Sequence, residues 1–140
     1  MAFNLRAAFG LLLLTSIAGV AQAESDAIRG QSLYQSMCMA CHSIDHNGVG
    51  PAHKNLFGRK AGSQPDYIYS PALASSDITW NAANLDSWLR NPEEFIPGQK
   101  MWIEVSSAQD RADLIAYLKN VTSSSPAKSE DAQTTSPLYH

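Results

Sequence analysis

The stretch Cys38-Met39-Ala40-Cys41-His42 decides how the rest of the chain is read. Two thiols three residues apart stand about one helical turn from each other, so both can reach vinyl groups on adjacent edges of one porphyrin and close thioethers. His42 follows at once and can turn its imidazole onto the iron. The chain has 2 cysteines in all, which excludes a disulfide-dense scaffold and a four-thiolate metal or iron–sulfur centre. A thiol–disulfide enzyme would place its pair at a strand-to-helix junction in a βαβ context, and no such pattern surrounds this one. Zinc would need a second ligand pair, and His46, His53 and His140 supply no H-x₃₋₅-H spacing among themselves. The string therefore reads as the attachment site of one c-type haem, held through Cys38 and Cys41 with His42 as an axial ligand.

Around that string, helical periodicity appears at three places. Residues 27–41 put Gly30, Leu33, Tyr34, Met37, Cys38 and Cys41 on one stripe, which predicts an amphipathic helix capped by Ser25 or Asp26. A second helix is predicted from Asn81 to Asn91, with Leu85, Trp88 and Leu89 inward and Pro92 ending it. The third starts at Ser107, which has capping-box spacing to Asp110, and carries Leu114, Ile115, Tyr117, Leu118 and Val121 on one side. Between the first two, His42 to Trp80 is broken by Gly48, Gly50, Pro51, Gly58, Gly62, Pro65 and Pro71, with little strand signal. So long a loop is abnormal for a compact domain, and a large bound cofactor would organise it.

Both ends separate from this unit. Arg6, the apolar run Ala7 to Val20 and the small-x-small site Ala21-Gln22-Ala23 read as a secretory signal over residues 1–23, cleaved after Ala23. The run is shorter than the ~20 residues of a bilayer span, so no stable membrane insertion is expected. From Thr122 to His140 the chain is rich in Ser, Thr, Pro and Ala, which predicts a flexible tail. What is left of the 140 residues is one domain, 24–121. The signal predicts export, and the expected setting is the bacterial periplasm. With 44% hydrophobic and 16% charged residues a packed core is expected. The formal charge of −3, made more negative when Arg6 leaves with the signal, gives no footprint for nucleic acid.

The other face of the iron decides between an electron carrier and a ligand binder. Met37 and Met39 share a turn with the thiols and His42 and cannot swing to the far side, and Met1 goes with the signal. Met101 remains, in Ile96-Pro97-Gly98-Gln99-Lys100-Met101, where a Pro-Gly turn positions it. A lone methionine near aromatics is by default core filler. His53 and Lys100 are the other candidates, each read as a solvated side chain.

Gly30, Tyr34, the Cys38–His42 string, Gly50-Pro51, Leu56-Phe57-Gly58-Arg59-Lys60, Tyr69, Ile78-Thr79-Trp80, Asn91-Pro92, Ile96-Pro97-Gly98-x-Lys100-Met101 and Leu114-Ile115-x-Tyr117-Leu118 stand in one order along the chain. In this it resembles the soluble class I cytochromes c, the mitochondrial type and its bacterial relatives, over nearly all of Asp26 to Val121. The resemblance implies an all-α cytochrome c fold, three main helices plus long Gly/Pro-rich loops wrapped around one covalent haem c, and a mono-haem electron carrier rather than an enzyme. It implies His42 and Met101 as iron ligands. It also implies that the Pro51 carbonyl fixes His42, that Tyr69, Trp80 and Arg59 hold the buried propionate, and that Gly30 and Tyr34 pack on Leu114 and Tyr117.

The chain departs from the mitochondrial pattern at several positions. Glu93 and Glu94 stand where a lysine pair is usual, Trp102 and Ile103 replace the usual aromatic after the methionine, His53 takes a leucine position and Trp88 a tyrosine position. The partners are then redox proteins with neutral or basic docking patches, met by a monomer. Two other readings stand beside this one. In the first, Met101 is labile and His53, Trp88 and Trp102 line a pocket for a small gas or peroxide; in the second, the chain is a fixed haem subunit of a dehydrogenase or oxidase complex, tethered by its tail.

Overall fold

The computed structural model describes residues 24–123, so residues 1–23 and nearly all of the C-terminal tail lie outside it. Five helices follow in order: α1 (Ala27–Met37), α2 (Pro71–Ala74), α3 (Ala82–Arg90), α4 (Pro92–Phe95) and α5 (Ala108–Thr122). Among the described residues the only extended pairing is an isolated antiparallel bridge between Lys60 and Thr79. The fold is all-α, as the sequence predicts.

Each helix starts where a side chain can satisfy its free amides. The Asp26 carboxylate accepts from Ile28 N–H and Arg29 N–H at 2.8 and 3.1 Å. α1 then stops at Met37, four residues short of the predicted end at Cys41. Beyond it the amides of Cys41 and His42 both donate to the Cys38 carbonyl, a tight turn that mimics helical spacing in the sequence. α3 opens on a reciprocal pair of bonds between Asn81 and Asn84, each 2.9 Å, and buries Leu85, Trp88 and Leu89 as predicted. Asn91 ends α3 and caps α4, whose first residue is Pro92. Ser70 and Pro71 open α2 in the same manner. At four residues each, α2 and α4 are too short to show a periodicity.

α5 is capped by Ser107, whose hydroxyl accepts from Asp110 N–H at 3.2 Å. Leu114 and Leu118 are buried, but Val121 is 38% exposed, contrary to its predicted inward position. The buried line instead steps by four from Leu114 to Leu118 to Thr122, whose carbonyl accepts from Asn55 N–H at 2.9 Å. α5 therefore runs one residue into the segment assigned to the tail.

The first and last helices cross at Gly30. A Cβ there would lie 2.0 Å from the Asp113 carbonyl oxygen and 2.9 Å from Tyr117 Cβ, so only glycine permits this approach. One turn on, Tyr34 packs its ring on Tyr117 at 5.3 Å between centroids. At the crossing itself sits Asp113, which has no exposed surface. Its carboxylate accepts from Asp26 N–H at 2.7 Å, from Gln109 Nε2 at 2.9 Å and from Arg29, whose second Nη reaches Asp110. Arg111, 6% exposed, ties α5 to Asp86 of α3 and to the Val105 and Ser106 carbonyls at 2.7 to 2.9 Å. These helices and their core of Tyr34, Leu56, Trp80, Leu85, Trp88, Leu89, Ile96, Leu114 and Leu118 form the frame on which the long loop is hung. No described helix is long and apolar enough to cross a membrane.

Candidate haem site

His42 leaves the Cys38–Cys41 turn and is held from three directions. Its Nδ1 lies 2.9 Å from the Pro51 carbonyl, which can only accept, so the proton is on Nδ1 and Nε2 keeps its lone pair. The same Pro51–Ala52 peptide is gripped at its other end, where Ala52 N–H donates to Asn47 Oδ1 at 2.9 Å, while Asn47 Nδ2 donates to the Pro65 carbonyl at 2.9 Å. Gly50 closes on the ring edge: a Cβ on it would stand 2.3 Å from His42 Cε1. Burial lowers the pKa of His42 despite the bond to Pro51, which favours the neutral form that a metal ligand needs.

The third contact is His53, stacked on His42 at 4.3 Å between centroids with 21° between planes. Its Nδ1 lies 3.0 Å from the Tyr34 hydroxyl. The sequence reading placed His53 in solvent or in a pocket across the iron; it lies instead half-buried against His42. Burial, then the neighbouring His42 and Arg59, push its pKa down to about 3, so it is uncharged. Cys38 and Cys41 are both free thiols, Cys38 half-buried against the core and Cys41 exposed. Burial, helped by Cys41, pushes Cys38 up to about 11.

A second cluster gathers Arg59, Tyr69 and Trp80. Trp80 is buried, donates its amide to the Arg59 carbonyl at 2.9 Å, accepts from Gly58 N–H at 2.8 Å and meets Trp88 edge-on at 5.5 Å. Gln64 links the other two: its amide donates to the Tyr69 hydroxyl at 3.3 Å and its side-chain oxygen accepts from Arg59 Nη1. Arg59 also donates to the Lys54 and Ala52 carbonyls at 2.5 and 2.9 Å. Its buried Nε has no partner, and among the described residues no carboxylate pairs with it. A cation with a spare buried donor suits a buried anion.

Met101 is half-buried against the core. The turn before it is closed by Gln99 N–H to the Ile96 carbonyl at 3.3 Å, with Gly98 at φ 86° where a side chain would be strained. Glu93 shapes this loop as well as charging the surface: its carboxylate accepts from Gly98 N–H at 2.9 Å and from Gln99 Nε2 at 3.4 Å. Gln99 in turn accepts from Met101 N–H. Trp102 is 90% exposed and Trp88 is buried against Trp80, so His53, Trp88 and Trp102 do not come together as the lining of one pocket.

These residues fit a haem. The two thiols, the imidazole with its open Nε2 and the unpaired Arg59 Nε are what such a group would engage. The sequence reading missed Asn47, whose hold on the Pro51–Ala52 peptide spans a loop and leaves no periodic trace.

An all-α frame carrying such a site defines a c-type haem protein. The chain matches the Cytochrome c family over residues 27–122 and belongs to it. It is 41% identical to cytochrome c2 of Rhodomicrobium vannielii over 102 residues, 70% of this chain and 81% of that protein. To cytochrome c2 iso-1 of Magnetospirillum molischianum it is 47% identical over 91 residues, 61% of this chain and 91% of that one. Among solved structures, cytochrome cH from Methylobacterium extorquens superposes with a TM-score of 0.66 at 41% identity, covering 69% of this chain and 99% of that one. The protein is a mono-haem c-type electron carrier whose cofactor is one covalent haem c, and Cys38 and Cys41 have the attachment spacing.

Proposed function

We propose that Cys38 and Cys41 hold the haem as thioethers, that His42 Nε2 and the Met101 thioether are its axial ligands, and that Arg59, Tyr69 and Trp80 stabilise a propionate. The observation that carries this reading is the 2.9 Å bond from His42 Nδ1 to the Pro51 carbonyl, which orients the imidazole and makes it more basic. The haem, when bound, supplies a one-electron iron couple. The chain's own residues would orient it, and with His42 and Met101 both committed to the iron no place would remain for a substrate, so the protein would act as a carrier and not an enzyme.

The setting we infer is the bacterial periplasm, reached through the signal over residues 1–23 and supported by the bacterial relatives; the protein acts there as a monomer. An absorption spectrum of the holoprotein tests the ligation. The ferric form is expected to show the weak near-infrared band of a methionine-ligated haem, and the ferrous form to ignore carbon monoxide. A missing band together with a carbon monoxide shift would overturn it and favour the gas-binding reading.

Docking polarity follows from the surface near Met101. Glu93 and Glu104 share one cleft with Met101 and Trp102, and Glu94 is exposed beside them. A partner with a basic or neutral patch suits this face. Electron-transfer rates with a small basic redox protein are expected to fall as ionic strength rises, and a rate indifferent to salt would count against it.

A further inference from the structure

We propose that His53, anchored by Tyr34, is a positioning residue for the axial histidine, and that this anchored stack sets the orientation of the His42 ring and with it the reduction potential. The inference rests on the reading of His42 as an iron ligand. An imidazole bound through one nitrogen keeps two soft freedoms, rotation about the metal bond and tilt of its plane. The Pro51 carbonyl limits the rotation through Nδ1, and the Gly50 backbone closes on the ring edge. The flat face of His42 remains, and His53 covers it at 4.3 Å and 21°.

An apolar side chain could cover that face but would be free to slide. His53 is not free, because the Tyr34 hydroxyl holds its Nδ1 at 3.0 Å. Tyr34 in turn is 2% exposed, fixed on α1 and packed on Tyr117 of α5. A line of contact therefore runs from the α1–α5 crossing through Tyr34 and His53 to the ring of His42. Ring orientation governs how the imidazole π system overlaps the iron d orbitals, so it bears on both the electronic signature and the relative stability of the two oxidation states. No change of protonation is involved.

The test compares the wild-type holoprotein with Tyr34→Phe, His53→Leu and the double variant, by electron paramagnetic resonance of the ferric form and by potentiometry. Tyr34→Phe keeps the ring and its packing, so it stays informative if His53→Leu folds poorly. Each single variant is expected to shift the g values and to change the ferrous-to-ferric ratio at fixed solution potential by roughly threefold or more. Tyr34 acts through His53, so removing its hydroxyl in the His53→Leu background should add nothing. Wild-type g values and potential in both single variants would overturn the inference, as would an undiminished Tyr34→Phe effect in the double variant. A wild type without a low-spin histidine–methionine signal overturns the ligation reading itself and this inference with it; a wild type that shows the signal while the variants stay silent overturns the inference alone.

Discussion

Replacing Met101 with alanine is expected to abolish the near-infrared band, to let the ferrous protein take up carbon monoxide and to lower the midpoint potential. The sign follows from ligand chemistry. A thioether is a soft neutral donor that favours the ferrous state, whereas the water or hydroxide that replaces it favours the ferric one. The fall should be on the order of 0.1 V, a modest part of the ~0.8 V that axial ligands command. The backbone around the gap should hold, because the loop is shaped by Glu93, Gly98 and Gln99 and not by the methionine side chain. Potentiometry and carbon monoxide difference spectra check this, and a variant that kept its band and its potential would remove Met101 from the iron.

Replacing Asp113 with asparagine is expected to destabilise the fold by about 3 kcal/mol at neutral pH, through loss of charge-assisted hydrogen bonds in a buried site. The new amide would turn its own donors toward Arg29, where the carboxylate accepted. For a domain of this size that is a fall in Tm on the order of 10 °C or more. The acid limb should change as well. The Asp26 amide, with Arg29 and Gln109, holds the Asp113 carboxyl below its ordinary value, against the opposing effect of burial. Its contribution is therefore complete above the ordinary carboxylate range near ~3.9 and drains away as pH falls through that range toward the native value. The stability curves of the two proteins should lie apart at neutral pH and converge in acid. Denaturant melts across that range measure it, and a constant gap at every pH would disprove the assignment.

What could be read from the sequence depended on whether a feature is local. The Cys38–His42 string, the capping at Asp26 and Ser107, the inward face of α3 and that of α5 up to Leu118 are set by neighbours within four or five residues, so they show in the periodicity. The overshoot of α1 to Cys41 has the same origin, since the turn after it repeats helical spacing without continuing the helix. Asp113 and Arg111 escaped notice because a charged residue on a helix reads as solvent-facing, and only partners 25 to 87 residues away make their burial affordable. His53 was noticed but misplaced for a like reason, as its partners on α1 and beside the thiols are joined by folding and not by spacing. Asn47 is a third case, placed by a loop no pattern describes.

The meeting of α1 with α5 also governs when this chain can fold. Asp26 and Asp113 are 87 residues apart, so their interface closes almost the whole domain into one loop, at the entropic cost of a long closure. An isolated helix of 11 residues is marginal in water, and α1 gains its packing partner only when the last helix arrives. Until α5 has been made, the chain is therefore expected to hold Cys38 and Cys41 on an accessible backbone beside a helix that lacks its packing partner. The expected order follows from the topology: the thiols are open to chemistry first, and the meeting of α1 with α5 packs the Cys38 side of the turn against the core afterwards, while Cys41 stays exposed.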